Sequence, residues 1–517
     1  MLLPLLLVLN RDKSPANAEI SELDVKGATV DTAATRSSEN RMILRLSVLK
    51  NLAKNLSPFK VKHAWFNGAD ETRPYATVPR LTPQEVTDIL QANEFTKEFA
   101  GPSSVKSYDS NQLASNNPME DTRSEARCLL TNGFLFGVFD GHGGSACAQV
   151  ISKRLLNYVA ACLLPTNILK KFLESWISGK NPQLLETFND KAKLIDEINQ
   201  IYQISFIDFL KHLEESNAGR EFQMETTLEN AFLRLDNDIS SEALSAKGKN
   251  VARTLSVAMS GAVTVVAHID GPHLHVANVG DCQAVLGVLS ENDAWSAKMM
   301  TVEHNSDNRA EVERILSEHP ESEKSTAIKM ERLLGQLAPL RSMGDFRYKW
   351  SLELLQKKVV PLYGHSAIPP NYYTPPYLTA IPEVKYHRLT PKDKFLIIAS
   401  DGLWDLISPL EAVRLVGEHM SGKVTLSPLR LPRKNITLAE INEMLLQRKE
   451  GLKKKPLDSN AATHLIRNAL GGTEYGIDHV KISKMLTLPG EVVRLFRDDI
   501  TVTVVYLDSE FLRHCPP

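Results

Sequence analysis

Cysteine is scarce. The 517 residues hold five, Cys128, Cys147, Cys162, Cys282 and Cys515, odd in number and without paired metal spacing. That argues against a disulfide framework and a zinc site, and makes a reducing compartment the default. Net charge is nearly absent as well: 60 basic against 62 acidic residues leave −2. The chain therefore has no global attraction to nucleic acid, which is not expected as a partner. No apolar run is long enough to span a bilayer, so no membrane span is expected. No internal repeat is evident. With 43% apolar and 24% charged residues, the composition is that of a globular protein, and one large domain with extensions fits the length.

Two N-terminal stretches need separate treatment. Residues 1–9 are almost wholly apolar but include Pro4 and have no basic residue ahead of them, which makes a poor signal peptide. Residues 42–69 contain Arg45, Lys50, Lys54, Lys60 and Lys62 without one Asp or Glu. Leu46, Leu49, Ala53 and Leu56 share a helical face there, the basic amphipathic pattern of a mitochondrial transit segment. An ordinary basic surface helix is the other reading. Transit segments normally start a chain, and a start at Met42 would reconcile the two. The folded part is expected to begin at Thr82-Pro83-Gln84-Glu85, a capping box with proline in the first turn. This divides the chain into an extension over 1–80 and a domain over 81–517.

The most chemically loaded stretch is Gly133-Phe-Leu-Phe-Gly-Val-Phe-Asp140-Gly141-His142-Gly143-Gly144-Ser145. Residues 134–139 are short, aromatic and β-branched, which reads as a buried strand. Asp140 is expected at its end, with Gly141, Gly143 and Gly144 turning the chain and offering bare carbonyls to a ligand. Ile151, Leu155, Val159 and Cys162 then follow at helical spacing. Residues 164–239 read as a helical insertion, with Asp236 and Asp238 near a helix end. Strands are expected over 262–268, 274–279 and 283–289, with Asp270-Gly271 as a hairpin turn, and again over 395–399 and 500–507. The result is an interleaved α+β fold of antiparallel sheet. Residues 368–382, rich in proline and tyrosine, suggest an ordered extended loop, and 421–459 a polar surface insertion whose Lys453-Lys454-Lys455 run reads as a solvated face.

Acids recur at strand ends. Asp140 follows one strand, Asp401 follows another through Ser400, and Asp498-Asp499 precede a third. Each alone reads as a cap or turn residue. Strand ends on one sheet edge would gather them, and unpaired anions repel and resist desolvation, so a divalent cation would relieve both costs. Glu120-Asp121 add oxygen donors. An oxygen-only set favours magnesium or manganese over zinc or copper. Two such ions sharing a carboxylate suit phosphoryl chemistry, and His142 is placed to protonate a leaving oxygen.

These residues resemble the metal-dependent Ser/Thr protein phosphatases of type 2C. The motifs that carry the resemblance are Met119-Glu120-Asp121, Phe139-Asp140-Gly141-His142-Gly143-Gly144, Ser260-Gly261-Ala262, Val276-Ala277-Asn278-Val279-Gly280-Asp281, Arg341-Ser342-Met343-Gly344-Asp345, Ser400-Asp401-Gly402-Leu403-Trp404 and Asp498-Asp499-Ile500. The resemblance implies a four-layer α-β-β-α sandwich of two antiparallel sheets. It implies that Asp140 bridges two manganese or magnesium ions, that Asp401 and Asp498 complete one shell, and that Glu120 and the Gly141 carbonyl complete the other. Asp121 would orient the bridging water and His142 would be the general acid. Ser110-Asn111-Gln112-Leu113, Ile368-Pro369-Pro370-Asn371-Tyr372-Tyr373, Asn460-Ala461-Ala462-Thr463-His464 and Ser483-Lys484-Met485-Leu486 resemble the branch of that family acting on the pyruvate dehydrogenase complex. That branch implies phosphoserine on the E1 α-subunit as substrate, the mitochondrial matrix as location, and calcium-assisted docking on a lipoyl domain of the dihydrolipoamide acetyltransferase, with a regulatory subunit as a further partner. Three positions depart from the wider family: Asn116 where an arginine often clasps phosphate, Val263 for a threonine, and Glu303 for an aspartate near a third ion. The competing readings are a phosphatase with another phosphoprotein substrate and a non-catalytic phosphatase-like scaffold.

Overall fold

The computed structural model describes residues 80–180, 182–190, 196–216, 222–432 and 436–515. The apolar start and the transit-like segment lie outside the described residues. Along the chain run α1 (Pro83–Gln91), β1 (Phe95–Glu98), β2 (Val105–Leu113), β3 (Thr122–Cys128), β4 (Phe134–His142), α2 (Ala146–Cys162), α3 (Thr166–Ile177), β5 (Leu185–Phe188), α4 (Asp196–Ser216), α5 (Met224–Ser245) and α6 (Asn250–Met259). Then follow β6 (Gly261–Asp270), β7 (His273–Val279), β8 (Gln283–Leu289), β9 (Trp295–Met299), α7 (Arg309–Glu318), β10 (Glu383–Arg388), β11 (Asp393–Ala399), α8 (Pro409–Met420), α9 (Leu438–Leu452), α10 (Ala461–Gly471), α11 (His479–Leu486) and β12 (Ile500–Leu507), with shorter helical turns and bridges between them.

Two antiparallel sheets carry the architecture, one in the order β1-β2-β12-β11-β8-β9 and the other β10-β7-β6-β4-β3-β5, with Met343–Gly344 paired to β6. Side chains alternate faces along a strand, and that alternation sorts the core into layers. Phe134, Phe136 and Val138 of β4 share one buried cluster with Val265 of β6, Leu286 of β8, Ile398 of β11 and Val505 of β12, so the inner faces of both sheets pack together. The intervening Leu135 and Phe139 join α2, α5 and α6 on one outside. Ile397, Ile500, Val502 and Val504 join α1, α8 and α10 on the other. This is the expected α-β-β-α order. Each fully buried Phe, Ile or Leu contributes roughly 1.5–3 kcal/mol.

Local signals explain several boundaries. Thr82 and Glu85 form the expected capping box of α1, with proline in its first turn. Gly271, at φ 53°, makes the β6–β7 hairpin, where a left-handed residue suits the strand twist. The loop over 368–382 is ordered by burial of Tyr372, Tyr377 and Leu378, and Tyr372 donates to the Trp350 carbonyl at 2.6 Å.

Three expectations need correction. β4 does not end at Asp140 but runs on to His142, and Gly141 stays in the strand, while Gly143 (φ 68°) and Gly144 (φ 118°) make the turn. The helical insertion contains a strand, β5, which adds to the edge of the second sheet through β3. Asp236 and Asp238 lie inside α5 rather than at its end. Both are buried and partnered: Asp238 accepts from Tyr158 at 2.6 Å, and Asp236 accepts from the Gly344 amide and Lys349 Nζ, each at 2.8 Å. The surface segment over 421–459 includes a capped helix, α9, started by Thr437 and Glu440.

Candidate active site

Antiparallel pairing brings eight strand ends to one end of the sandwich. Ile500 pairs Leu113, Val502 pairs Ala399, Ala399 pairs Gln283, Phe139 pairs Thr122, Asp140 pairs Val263, and Thr264 pairs Val279. The residues just beyond those pairs must therefore share that end: Ser115 and Asn116, Glu120 and Asp121, Asp140 to His142, Gly261, Asp281, Ser400 and Asp401, and Asp498 and Asp499. All seven residues picked from the sequence lie there: Glu120, Asp121, Asp140, Gly141, His142, Asp401 and Asp498.

The acids press on one another. Burial pushes Asp140 well above the usual carboxylate range, with Asp121, Asp401, Asp281 and Asp498 adding repulsion. Burial does the same to Asp401, reinforced by Asp281, Asp405 and Asp498. Asp121 is pushed up to about 7 by burial and by Asp499, against hydrogen bonds from Ser400 and Thr501. Among the described residues no three His, Cys, Asp or Glu side chains converge on one ligating point.

Hydrogen bonds set the frame around the acids. Asp499 accepts from the amides of Ser115 (2.5 Å), Asn116 (2.8 Å) and Glu120 (2.8 Å) and from Asn116 Nδ2 (2.9 Å), so it anchors the loop that carries Glu120 and Asp121. Ser400 Oγ donates to Asp121 Oδ2 at 2.7 Å. The Gly144 amide donates to Glu120 Oε1 at 2.7 Å, while Glu120 Oε2 is buried and makes no hydrogen bond, lying 3.1 Å from Arg494 Nη2. A Cβ on Gly141 would sit 2.5 Å from the Glu120 carbonyl oxygen, so glycine permits this close approach. A buried carboxylate oxygen without a hydrogen bond, mutually repelling acids and an all-oxygen donor set together fit a hard divalent ion.

His142 belongs to a second group. Its Nε2 lies 2.5 Å from Asp345 Oδ2, which also accepts from Ser342 Oγ at 2.7 Å. Burial pulls the His142 pKa down, but Asp345, Asp281 and Glu120 outweigh it and the net shift is upward. Gly261 beside them leaves no room for a Cβ, which would strike Asp345 and His142. Asp345 stands at φ 52°, in a turn held through the Gly344 amide by Asp236 of α5. The helical insertion thus reaches the site through Asp236 and Asp345. Sequence reasoning assigned no role to Asp281, Asp345, Ser400, Asp499 or Arg494. Only the first four sat in or beside quoted motifs.

The family model described as "Protein phosphatase 2C" matches residues 182–441. The mitochondrial protein "[Pyruvate dehydrogenase [acetyl-transferring]]-phosphatase 1" of Bos taurus is 44% identical over 474 residues, 87% of this chain and 88% of that one. The chain belongs to the protein phosphatase 2C family. Phosphatase 2 of the same designation from Homo sapiens is 44% identical over 450 residues, 83% of this chain and 84% of its own. A Saccharomyces cerevisiae relative, also designated phosphatase 1, is 30% identical over 443 residues, 77% of this chain and 68% of its own. Membership of the 2C family implies metal-dependent catalysis. Of the departures from the family pattern, Val263 is buried opposite Asp140 in the β4–β6 pairing. The Glu303 carboxylate is engaged by Gln283 and, at 2.5 Å, by Asn305.

Proposed function

We propose that this chain is a metal-dependent protein serine/threonine phosphatase that removes phosphate from phosphoserine on the E1 α-subunit of the pyruvate dehydrogenase complex, and so restores that enzyme's activity. The observation that carries the reading is 44% identity to a pyruvate dehydrogenase phosphatase over 87% of the chain. We place it in the mitochondrial matrix, as its relatives' designation as mitochondrial supports. Residues 1–80 are proposed as an extension carrying the transit segment at 42–69, and 81–517 as the phosphatase domain.

Glu120, Asp140, Asp401, Asp498 and the Gly141 carbonyl are the proposed ligands of two manganese or magnesium ions. When bound, such ions supply an acidified water and neutralise charge on the phosphoryl group. Asp121, held by Ser400, orients that water toward phosphorus. The water oxygen bonds to phosphorus as the bond from phosphorus to the serine oxygen breaks; the water's proton passes to solvent, and the departing serine oxygen takes a proton from the enzyme. His142 gives it: Asp345 engages Nε2, so Nδ1 is the ring nitrogen left to donate. Burial lowers the His142 pKa, but Asp345, Asp281 and Glu120 raise it by more, a net shift that favours the protonated ring. The proposal extends to calcium-assisted docking on a lipoyl domain of the dihydrolipoamide acetyltransferase and to a regulatory subunit, as the branch resemblance implies.

The test is phosphate release from phosphorylated E1 α-subunit, with and without manganese or magnesium, for the wild type and Asp401→Asn. Metal-dependent release that the substitution abolishes is the expected result. Release from a generic phosphopeptide alone would sink the substrate and keep the chemistry. Release from neither would sink the enzyme reading.

A further inference from the structure

A phosphoserine side chain reaches this end of the sandwich as a dianion, against a crowd of carboxylates. The asparagine four residues ahead of Glu120 has no charge to offer, and its amide is already used: Asn116 Nδ2 lies 2.9 Å from Asp499 Oδ2 and 3.4 Å from Asp498 Oδ1. A guanidinium arrives from the other direction. Arg494, in the turn between the short helix Gly490–Val493 and β12, places Nη2 3.1 Å from Glu120 Oε2 and Nε 3.9 Å from Asp498 Oδ1.

Arg494 is held differently from its neighbour. Arg497 is 8% exposed and donates to the Ala114 carbonyl at 2.7 Å, which makes it part of the loop's scaffold. The Arg494 side chain is 52% exposed and contacts its two acids without a bidentate hydrogen-bonded pair to either. Its attachment is electrostatic, and both partners are acids assigned above to divalent ions. A cation that shares its anions with a metal is displaced when the metal binds, and a long exposed side chain is then free to turn.

We propose that Arg494 is the phosphate-binding arginine of this enzyme, released from Glu120 and Asp498 as those acids take up metal, and donating its paired N–H groups to the non-bridging oxygens of the phosphoserine. The proposal rests on the phosphatase reading. A planar guanidinium offers parallel donors that match phosphate oxygens, and here it restores positive charge where the acids would otherwise repel the substrate. It supplies from the segment ahead of β12 what position 116 lacks.

The test uses the full chain as wild type, Arg494→Ala and Arg494→Lys, with manganese and a phosphoserine peptide. Inorganic phosphate serves as inhibitor, and manganese binding to the substrate-free protein is followed by calorimetry. For Arg494→Ala, KM and the phosphate inhibition constant should rise together by about tenfold to a hundredfold, the loss of a charge-assisted contact. The effect on kcat should be smaller, and lysine should recover part of the binding. Manganese should bind Arg494→Ala as tightly as wild type or more so, because a competing cation has left the acids. Unchanged KM and phosphate inhibition would overturn the proposal. So would manganese binding weakened by the same factor as activity, since Arg494 would then only position the acids. A wild type that releases no phosphate from any phosphopeptide would instead sink the phosphatase reading, and this proposal with it.

Discussion

Asp499→Asn should destabilise the metal-free protein by about 3–5 kcal/mol, while Asp498→Asn, one residue earlier, should leave it within about 0.5 kcal/mol of wild type. The contrast follows from what each carboxylate touches. Asp499 is 2% exposed. Its Oδ1 accepts the Ser115 and Asn116 amides, and its Oδ2 accepts the Glu120 amide and Asn116 Nδ2. An amide in its place turns an –NH2 toward two of those donors, whichever way it is flipped. Two hydrogen bonds to a charged acceptor are lost, at about 1.5–3 kcal/mol each, and the donors left behind are buried. Asp498 accepts only the Asp499 amide at 2.9 Å and a long contact from Asn116, which an asparagine oxygen keeps, and it adds repulsion at Asp140 and Asp401. Removing that charge offsets the weakened attraction to Arg494. Urea denaturation of the full chain in chelator reads the stability difference, and calorimetry reads manganese binding, which both substitutions should weaken. Equal stability of the two variants would refute the assignment of Asp499 as the loop's anchor. A loss of several kcal/mol in Asp498→Asn would refute the assignment of Asp498 as a strained, ligand-type acid.

Gly141→Ala should raise the manganese concentration for half-maximal activity by about tenfold or more, because the added methyl displaces the Glu120 backbone; an unchanged metal dependence would contradict the steric account. Asp345→Asn should lower kcat by about tenfold to a hundredfold with manganese binding within about twofold of wild type, since Asp345 orients His142; a shift in metal affinity with kcat intact would make Asp345 part of the ion site. Burial holds the His268 pKa down to about 4, from 6.5, so the unfolded chain takes the proton first as pH falls: the contribution is complete above pH 6.5 and is lost between 6.5 and 4. At pH 5 that amounts to about 2 kcal/mol, and His268→Leu should flatten the fall of the urea midpoint from pH 7 to 5, equal slopes in both proteins counting against it.

Strands that bury both faces were legible. Residues 395–399 are a continuous apolar run, and 500–507 an apolar one interrupted by Thr501 and Thr503, because β11 and β12 are interior strands covered by the partner sheet on one side and by helices on the other. Edge strands were not. β10 reads Glu-Val-Lys-Tyr-His-Arg with no fully buried residue, and β5 is a four-residue edge defined by its pairing with β3. β2 failed for a different reason. Its Asp109, Ser110 and Asn111 are buried, yet they look like a loop because their partners lie far away: Asp109 caps the Ala461 amide at the start of α10, and Asn111 donates to the Leu90 carbonyl and to Thr463. A polar triplet becomes strand only when α1 and α10 satisfy it.

The same distinction runs through the site. Asp140 and Asp401 could be singled out because each sits in a local pattern, apolar strand then Asp-Gly, and antiparallel topology alone carries such strand ends to a common edge. The residues that hold those acids in place act across the chain. Asp499 anchors amides 379 to 384 positions away, and Asp345 meets His142 across 203. Neither carries a sequence signal separating it from its neighbours: Asp498 and Asp499 stand side by side just ahead of β12 and differ in what they meet. Asp499 is buried, accepts four donors and fixes the loop, while Asp498 is only partly buried, repels Asp140 and Asp401, and has Arg494 Nε 3.9 Å away.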